Sequence, residues 1–599
     1  MAVIGNTSNP MVDVTFQDLT NYAAASSTDD IAGVVLDTSW GPCGTPTVFN
    51  STGYQTYFNP KGLGRLNSSM ATVQRYFSLG GSYVEGVRLG ANEVWRFIYL
   101  DDGAFATTTV AYSGDSSATD FGSISALAGS PCAFRLLYPG GFPMQITITE
   151  ASELSGVQLY TLQVSAYSGL VYSTAGAASA SYNTLLESLT VSFVPLELNG
   201  VSYFYADVLA SSSSYLYADA AWAYAQSKIT VPDMEDGSLT LLTLSPSTVP
   251  GLQASGVTDA VGTAYKAADY QNAAAIFEDR DISSATLLLN SYTTDAALAA
   301  GETGVTAQGV STTSAYVKML AAYASVAETR KDLVFLAGFP TFGQGTPSAS
   351  TATWGGASAT WVQQEPCMVA WFNAIANAGL DMFTAGIVAW ERYTLSTLLG
   401  RQTFNLDGTA GWAGRIVSVA GQLKNRNQPP SYKAYGAYSG SLVRSLTFKQ
   451  VYSLHQDYGI GSIYTTASGN YIFDIRTLYG VTTSYFAQLN VMRVTAALLA
   501  GTFDEVEQVL HTDVAANRSS RIALEGRLNQ LISTFIARSE LKSSSYADVG
   551  DSINSDAQTQ GGRSLNIHLV CYFIGLTERV NITVIATDDS VSVSSIAVG

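Results

Sequence analysis

Alternation of apolar and polar positions is clearest near the end of the chain, in SLNIHLVCYFIGLTERVNITVIA. Leu565, Ile567, Leu569, Cys571 and Phe573 fall on one face of an extended segment, and Val580, Ile582 and Val584 on one face of a second, with Gly575 to Arg579 between them. Period-two alternation across a short Gly-containing turn predicts a β-hairpin. A hairpin standing alone is marginal in water, and its two unpaired edges attract other strands. Two further alternating pieces have no neighbour in sequence to pair with. MVDVTF, near the start, places Val12, Val14 and Phe16 on one face; SVSSIAVG, at the end, carries Val591, Val593 and Ile596. Two orphan strands and two vacant edges are mutually satisfied if they meet between copies of the chain, by strand addition. The predicted intersubunit positions are therefore Val12, Val14, Phe16, Leu565, Ile567, Leu569, Val580, Ile582, Val584, Val591, Val593 and Ile596.

The remaining pattern divides the chain. ATLLLN (285–290), AYVKMLAAYASVAETRK and DLVFLAGFP read as strand, helix and strand, hence a parallel sheet in an α/β domain. Residues 101–225 shift to Ser, Thr, Tyr and Gly with alternating runs such as MQITIT and VQLYTLQV, as in an inserted, sandwich-like β domain. A polar, Pro-rich stretch, QLKNRNQPPSYKAYGAYSGS, sets a boundary near 440. Beyond it Leu489, Met492, Ala496, Leu499, Phe503, Val506 and Leu510 step along one helix face, and Leu524, Leu528, Leu531 and Phe535 along a second that begins after Asn517, a good N-cap. The expected plan is multidomain α+β. It has a strand arm (1–20), a discontinuous α/β middle domain (21–100 and 226–440) and an outer β-rich domain (101–225). A C-terminal assembly domain with helix pair and hairpin (441–589) and a terminal strand arm (590–599) complete it.

Composition sharpens this. With 599 residues the chain is too long for one core, and 47% hydrophobic residues ensure that it folds. Charged residues are only 13%, about half the usual share, so the surface is polar but easily desolvated, which suits burial against neighbouring subunits. A net charge of −18 argues against a nucleic-acid partner, which needs clustered Lys and Arg. The four cysteines, Cys43, Cys132, Cys367 and Cys571, are far apart and read as buried thiols of a reducing compartment, or at most an incidental pair. No signal-peptide pattern opens the chain and no apolar run approaches a membrane span, so synthesis in a cytoplasm and no stable membrane association are expected.

Catalytic patterns fail. GxSxG, GxGxxG and GxxxxGK[ST] do not occur, and the three histidines (His455, His511, His568) all follow the α/β region, so that region holds no Ser-His-Asp triad. Their spacing is not that of a metal motif. The acidic turns at Glu235–Asp236 and Glu278–Asp281 do not match a calcium loop. No enzyme activity, catalytic residue, cofactor or metal site is expected. Arg518 and Arg521, one turn apart beside Arg527, form either a solvated face paired to Glu525 or a surface meeting an acidic partner.

The C-terminal third resembles the contractile tail sheath proteins of bacteriophages and related injection particles. FDIRTLYG, SYFAQLNVMRVTAALLAGTFDEVEQVL, NRSSRIALEGRLNQLISTF and SLNIHLVCYFIGLTERVNITV are similar to successive blocks of that family, in order. Upstream, VAETRKDLVFLAGFP resembles a family segment in which an acid, an Arg and an Asp, here Glu328, Arg330 and Asp332, precede a strand ending at Pro. GVVLDTSWGPCGTPTVFNS and VQRYFSLGGSYVEGVRL resemble its N-terminal part, and YPGGFPMQITIT more loosely a loop and strand of the inserted domain. The chain has Pro10-Met11-Val12-Asp13 where the family commonly has a Pro-Gly-Val-Tyr-like stretch, and Phe142 near a position often held by Trp. The resemblance implies a middle domain of subtilisin-like fold without catalytic residues. It implies stacked hexameric rings around a tail tube protein, interlocked by terminal arms, and contact with baseplate and tail terminator proteins in a virion tail assembled in the host cytoplasm. It also makes Arg518, Arg521 and Arg527 the candidate tube-facing residues. The alternatives are another self-assembling virion or surface-layer protein, or a secreted β-rich hydrolase or adhesin, which would show a signal peptide or a convergent acid/base site.

Overall fold

The computed structural model describes residues 31–598 apart from 112–131, 226–239, 245–264, 290–304, 340–360, 556–563, 574–579, 587–590 and shorter stretches between them. An eight-stranded sheet forms the middle of the molecule. Its order is Thr47–Phe49, Tyr83–Arg88, Ile31–Leu36, Thr286–Leu289, Leu333–Gly338, Thr384–Val388, Gly461–Thr466 and Gly469–Ile472. The inner pairings are parallel, and the two outermost are antiparallel. Strands buried on both faces read as unbroken apolar runs; Leu333–Gly338 and Thr384–Val388 are buried throughout. The strand–helix–strand unit expected from the sequence is present: Thr286–Leu289 runs parallel to Leu333–Gly338, with helix Ala315–Arg330 between them. The sheet continues past the boundary expected near 440, because Gly461–Thr466 pairs with Thr384–Val388.

A second set of strands encloses its own core. Six antiparallel strands from Met144 to Leu244 make one sheet, and Val94–Asp101, Ala104–Ala111, Cys132–Leu136 and Leu216–Tyr217 make another. The alternation in MQITIT and VQLYTLQV has its predicted outcome: Met144, Ile146, Ile148, Tyr160, Leu162 and Val164 are buried together with Ile98, Phe134 and Leu136 of the second sheet. This β-rich part begins at Val94 rather than 101, since Val94–Asp101 pairs with Ala104–Ala111 along its whole length.

The two cores meet at a buried guanidinium. Arg88, the last residue of its strand, is 1% exposed. Its Nε donates to the Thr38 carbonyl at 2.7 Å, and Nη1 donates to the carbonyls of Gly41 (2.7 Å) and Pro139 (2.9 Å). Nη2 stands 3.4 Å from the Glu93 carboxylate, whose other oxygen accepts from Tyr265 Oη at 3.3 Å. Segments 38–41 and 139–141 are thereby fastened to the point where the chain leaves the central sheet. Gly140 sits at φ 89°, and a Cβ there would run into both the Glu93 carboxylate and the Arg88 guanidinium, so the tight approach requires glycine. A second buried pair ties helix Ser68–Ser78 to strand Glu391–Thr397: Arg75 Nε donates to Glu391 Oε2 at 2.8 Å, and the guanidinium lies 5.1 Å from the Tyr438 ring centroid. Burial holds the Glu391 carboxyl above its ordinary range, against the pull of Arg75.

Arg88→Met strands Glu93 as an uncompensated buried charge and should lower unfolding free energy by about 3–5 kcal/mol, read as a shift of the urea midpoint. The double substitution Arg88→Met with Glu93→Gln should lose clearly less.

Candidate assembly surface

The helix pair lies where periodicity places it. Leu489, Met492, Ala496, Leu499, Phe503 and Val506 are buried on helix Leu489–Glu507, as are Leu524, Leu528 and Phe535 on helix Arg518–Ala537, whose Asn517 cap accepts from Ser519 N at 2.9 Å. Leu510 and His511 lie outside the described residues. The first helix is buried nearly all round, not along one stripe, because NVMRVTAALLAGTF offers little polar face to expose.

The basic residues on the second helix are held within the chain. Arg521, buried, and Arg518, largely exposed, both reach Asp551, at 2.5 and 3.2 Å. Arg527 bonds Glu505 at 3.0 Å and Gln508 at 3.2 Å. Glu525, the expected partner of Arg518 and Arg521, instead accepts from Val549 N at 3.0 Å.

That last bond belongs to a plug along one strand edge. Strand Tyr546–Asp548 runs beside the helix, and Asn529, one turn beyond Glu525, accepts from Ala547 N (2.9 Å) and donates to Ala547 O (3.3 Å). An amide side chain here completes both backbone groups as a neighbouring strand would. On its other side the strand pairs antiparallel with His568–Val570, in the register Tyr546↔Val570, Ala547↔Leu569, Asp548↔His568. Ala547 turns its backbone groups to the helix, so by antiparallel alternation Leu569 turns its own away from Ala547.

Flanking bonds extend this division. Asn566 exchanges two bonds with the buried Asn554 amide, at 2.7 and 2.9 Å. Tyr572 accepts from Lys542 N at 3.0 Å and donates to Ser545 Oγ at 3.0 Å. Even-numbered residues of 566–572 thus bond inward. The N–H and C=O groups of Ile567, Leu569 and Cys571 face outward, and no described strand pairs with them. Leu565, Ile567, Leu569 and Cys571 pack their side chains against the core, with Phe573 buried, as the alternation predicts.

The expected hairpin is different in the structure. The run 565–573 pairs with Tyr546–Asp548, and Val580–Ala586 pairs with Val591–Val598, giving a two-stranded C-terminal ribbon. The terminal strand therefore has a partner in its own chain, contrary to expectation. Period-two patterning reveals which residues share a face but not which strand lies alongside. Here the register Val580↔Val598, Ile582↔Ile596 and Val584↔Val593 sets apolar position against apolar position, which favours this pairing. Val12, Val14 and Phe16 lie outside the described residues.

The groups with chemical potential are engaged structurally. His455 Nε2 is 2.7 Å from Asp474 Oδ2, and Nδ1 is 2.8 Å from the Gln456 amide. His568 lies exposed on its strand. Arg330 bonds Asp332 at 2.5 Å and the Phe277 carbonyl at 2.8 Å, securing the turn into strand Leu333–Gly338, while burial pushes the Asp332 carboxyl up. Lys331, in the left-handed region at φ 55°, reaches Glu328 at 3.6 Å. Cys43 is buried, and burial pushes the Cys571 thiol up to about 12. Among the described residues no three His, Cys, Asp or Glu side chains cluster as metal ligands, and no helix is long and apolar enough to cross a membrane.

No family model and no curated protein matches the chain. Solved structures similar to it include sheath and baseplate structures. The sheath tail protein of Desulfitobacterium hafniense is 12% identical, with 90% of this chain and 93% of that one covered and a TM-score of 0.42. The anti-feeding prophage helical sheath in its contracted state is 9% identical, with 98% and 100% covered and a TM-score of 0.42. The anti-feeding prophage baseplate structure is 13% identical, with 46% and 65% covered and a TM-score of 0.33.

Two outcomes test the local geometry. Asn529→Leu leaves the Ala547 N–H and C=O without partners and should cost about 1–3 kcal/mol in urea unfolding. Iodoacetamide at pH 8 should alkylate Cys571 about a thousandfold more slowly in the folded protein than in the denatured chain, because so little thiolate is present at that pKa.

Proposed function

We propose that the chain is the structural subunit of a contractile tail sheath, which polymerises with itself into stacked rings, six-fold in the family it resembles, around a tail tube and shortens once to drive the tube through a cell envelope. It works without catalytic groups, cofactor or metal. Its other partners are the tube, baseplate and terminator proteins, and its place is the tail of a phage or phage-like particle.

The observation that carries the reading is the one-sided strand edge at Ile567–Cys571. The edge is rigidly backed by the core through its own side chains, and the opposite side of the small sheet is plugged by Glu525 and Asn529. Such an edge takes an extended segment from another copy by backbone hydrogen bonds, each worth about 1 kcal/mol net. The N-terminal run with Val12, Val14 and Phe16 is the occupant of this edge. The ordered series of sheath-like sequence blocks supports the same reading, as does the scarcity of charge, which lowers the cost of desolvating a large surface. Strand-addition links tether subunits while their bodies rotate, so an array held this way stays continuous as it shortens. Of the basic candidates, Arg518 alone is both largely exposed and placed at a helix start, so a tube contact through this helix would centre on it.

Leu569→Pro removes an outward N–H and part of a core contact; Leu569→Ala removes the core contact alone. Both should remain folded with similar loss of melting temperature. Only the alanine variant should form tubes of uniform diameter in electron micrographs. Equal assembly by the two would show that the edge is not used.

A further inference from the structure

The segment 443–446 is held at both ends. Val443 N donates to the Trp390 carbonyl at 3.0 Å, and Leu446 bridges to Tyr464. Between them stands Arg444, half-buried. It makes no hydrogen bond or ion pair among the described residues, although its Nη1 is shut off from water. Burial pushes its pKa below the usual arginine value, and no carboxylate offsets that push. A desolvated cation without a counter-charge is costly; Arg75, Arg88 and Arg330, by contrast, each have a carboxylate. Just beyond, helix Phe448–Tyr458 opens on a capping box of Thr447 with Gln450 and buries Val451, Leu454 and His455. Its other face carries Phe448, 52% exposed, and Tyr452, 50% exposed, with ring centroids 6.0 Å apart. The Phe448 ring also meets Tyr464 at 5.2 Å, so the Leu446–Tyr464 bridge joins the Arg444 segment to this aromatic face. Lys449, Gln456 and Asp457, all exposed, give the helix a polar border.

We propose that Arg444 and the Phe448–Tyr452 face together dock onto a second copy of this chain, which supplies a carboxylate to the guanidinium and closes the rings off from water. Charge decides the occupant. With 47 Asp and Glu against 29 Lys and Arg, a copy of this chain offers carboxylates in excess, and copies repel one another at long range unless a cation waits at the contact. An arginine beside exposed aromatic rings, edged by polar residues, has the composition of an interface centre, where a few such side chains carry most of the binding free energy. Because Arg444 is already partly dehydrated and its backbone pinned, pairing it adds little desolvation or ordering. The inference rests on the sheath reading above and adds which surface a neighbour meets.

Arg444→Met separates this role from a structural one, since methionine keeps the apolar stem and removes the charge. In the dispersed subunit an unpaired charge is lost, so the melting temperature should hold or rise. In assembly the partner of the carboxylate is lost, so the critical concentration for polymerisation should rise about tenfold or more. Phe448→Ser should raise the critical concentration too, with little change in melting temperature. Benzoylphenylalanine in place of Tyr452, irradiated in the assembled polymer, should cross-link to a second copy at a peptide containing Asp or Glu. A fall in the melting temperature of dispersed Arg444→Met, an unchanged critical concentration, or the absence of any cross-link between copies would overturn the docking and leave the sheath reading standing. Failure of the unmodified chain to polymerise under any assembly condition would overturn both.

Discussion

The buried guanidinium of Arg88 is the constraint on which the arrangement of the two cores depends. Removing such a group from water is costly, and the cost is offset by well-placed acceptors and an opposite charge. Thr38, Gly41 and Pro139 supply carbonyls and Glu93 the charge, so the segments 38–41, 88–93 and 139–141 must converge before Arg88 can be buried. The chain departs for the β-rich part just after this residue and is back at Tyr265, whose hydroxyl bonds the same Glu93. A long excursion is thereby closed at its base. The entropy of closing it grows only slowly with its length, which explains how so large an insertion is tolerated.

Other interior charges serve similarly. Arg75 with Glu391 and Arg330 with Asp332 join elements or fix a turn, and each carboxylate pays for its burial through a guanidinium partner. Arg493 and Glu540 are also buried. In a chain with few charged residues, using them inside leaves a surface of Ser, Thr, Gly and Tyr. Such a surface sheds water readily against a like surface, whereas a densely charged one would not.

What could be read from the sequence followed from what periodicity encodes. Continuous apolar runs gave away the parallel strands around Leu287 and Phe335, and strict alternation gave away Met144–Ile148 and the core-facing residues from Leu565 to Phe573. Partner choice was invisible, since Val580–Ala586 alternates equally well whichever strand lies beside it. The composition shift near 101 and the polar stretch near 440 do not coincide with strand pairing, because composition changes where loops are polar, whereas the hydrogen bonding of the sheets starts at Val94 in one and reaches Ile472 in the other. The plug on Ala547 had no sequence signal: Glu525 and Asn529 are ordinary residues for an exposed helix, and only the strand laid alongside gives them their role.

That plug also leaves the small sheet a single open side. A small sheet with two open sides can lengthen without limit, as in fibrils, where each added strand presents a fresh template. With Asn529 and Glu525 sealing one side, the strand addition proposed above is confined to the other, which would set in advance how many links each copy accepts there. Order in an array built that way would come from counting rather than from affinity, since a weak but capped contact can specify a lattice that a stronger uncapped one would lose to aggregation.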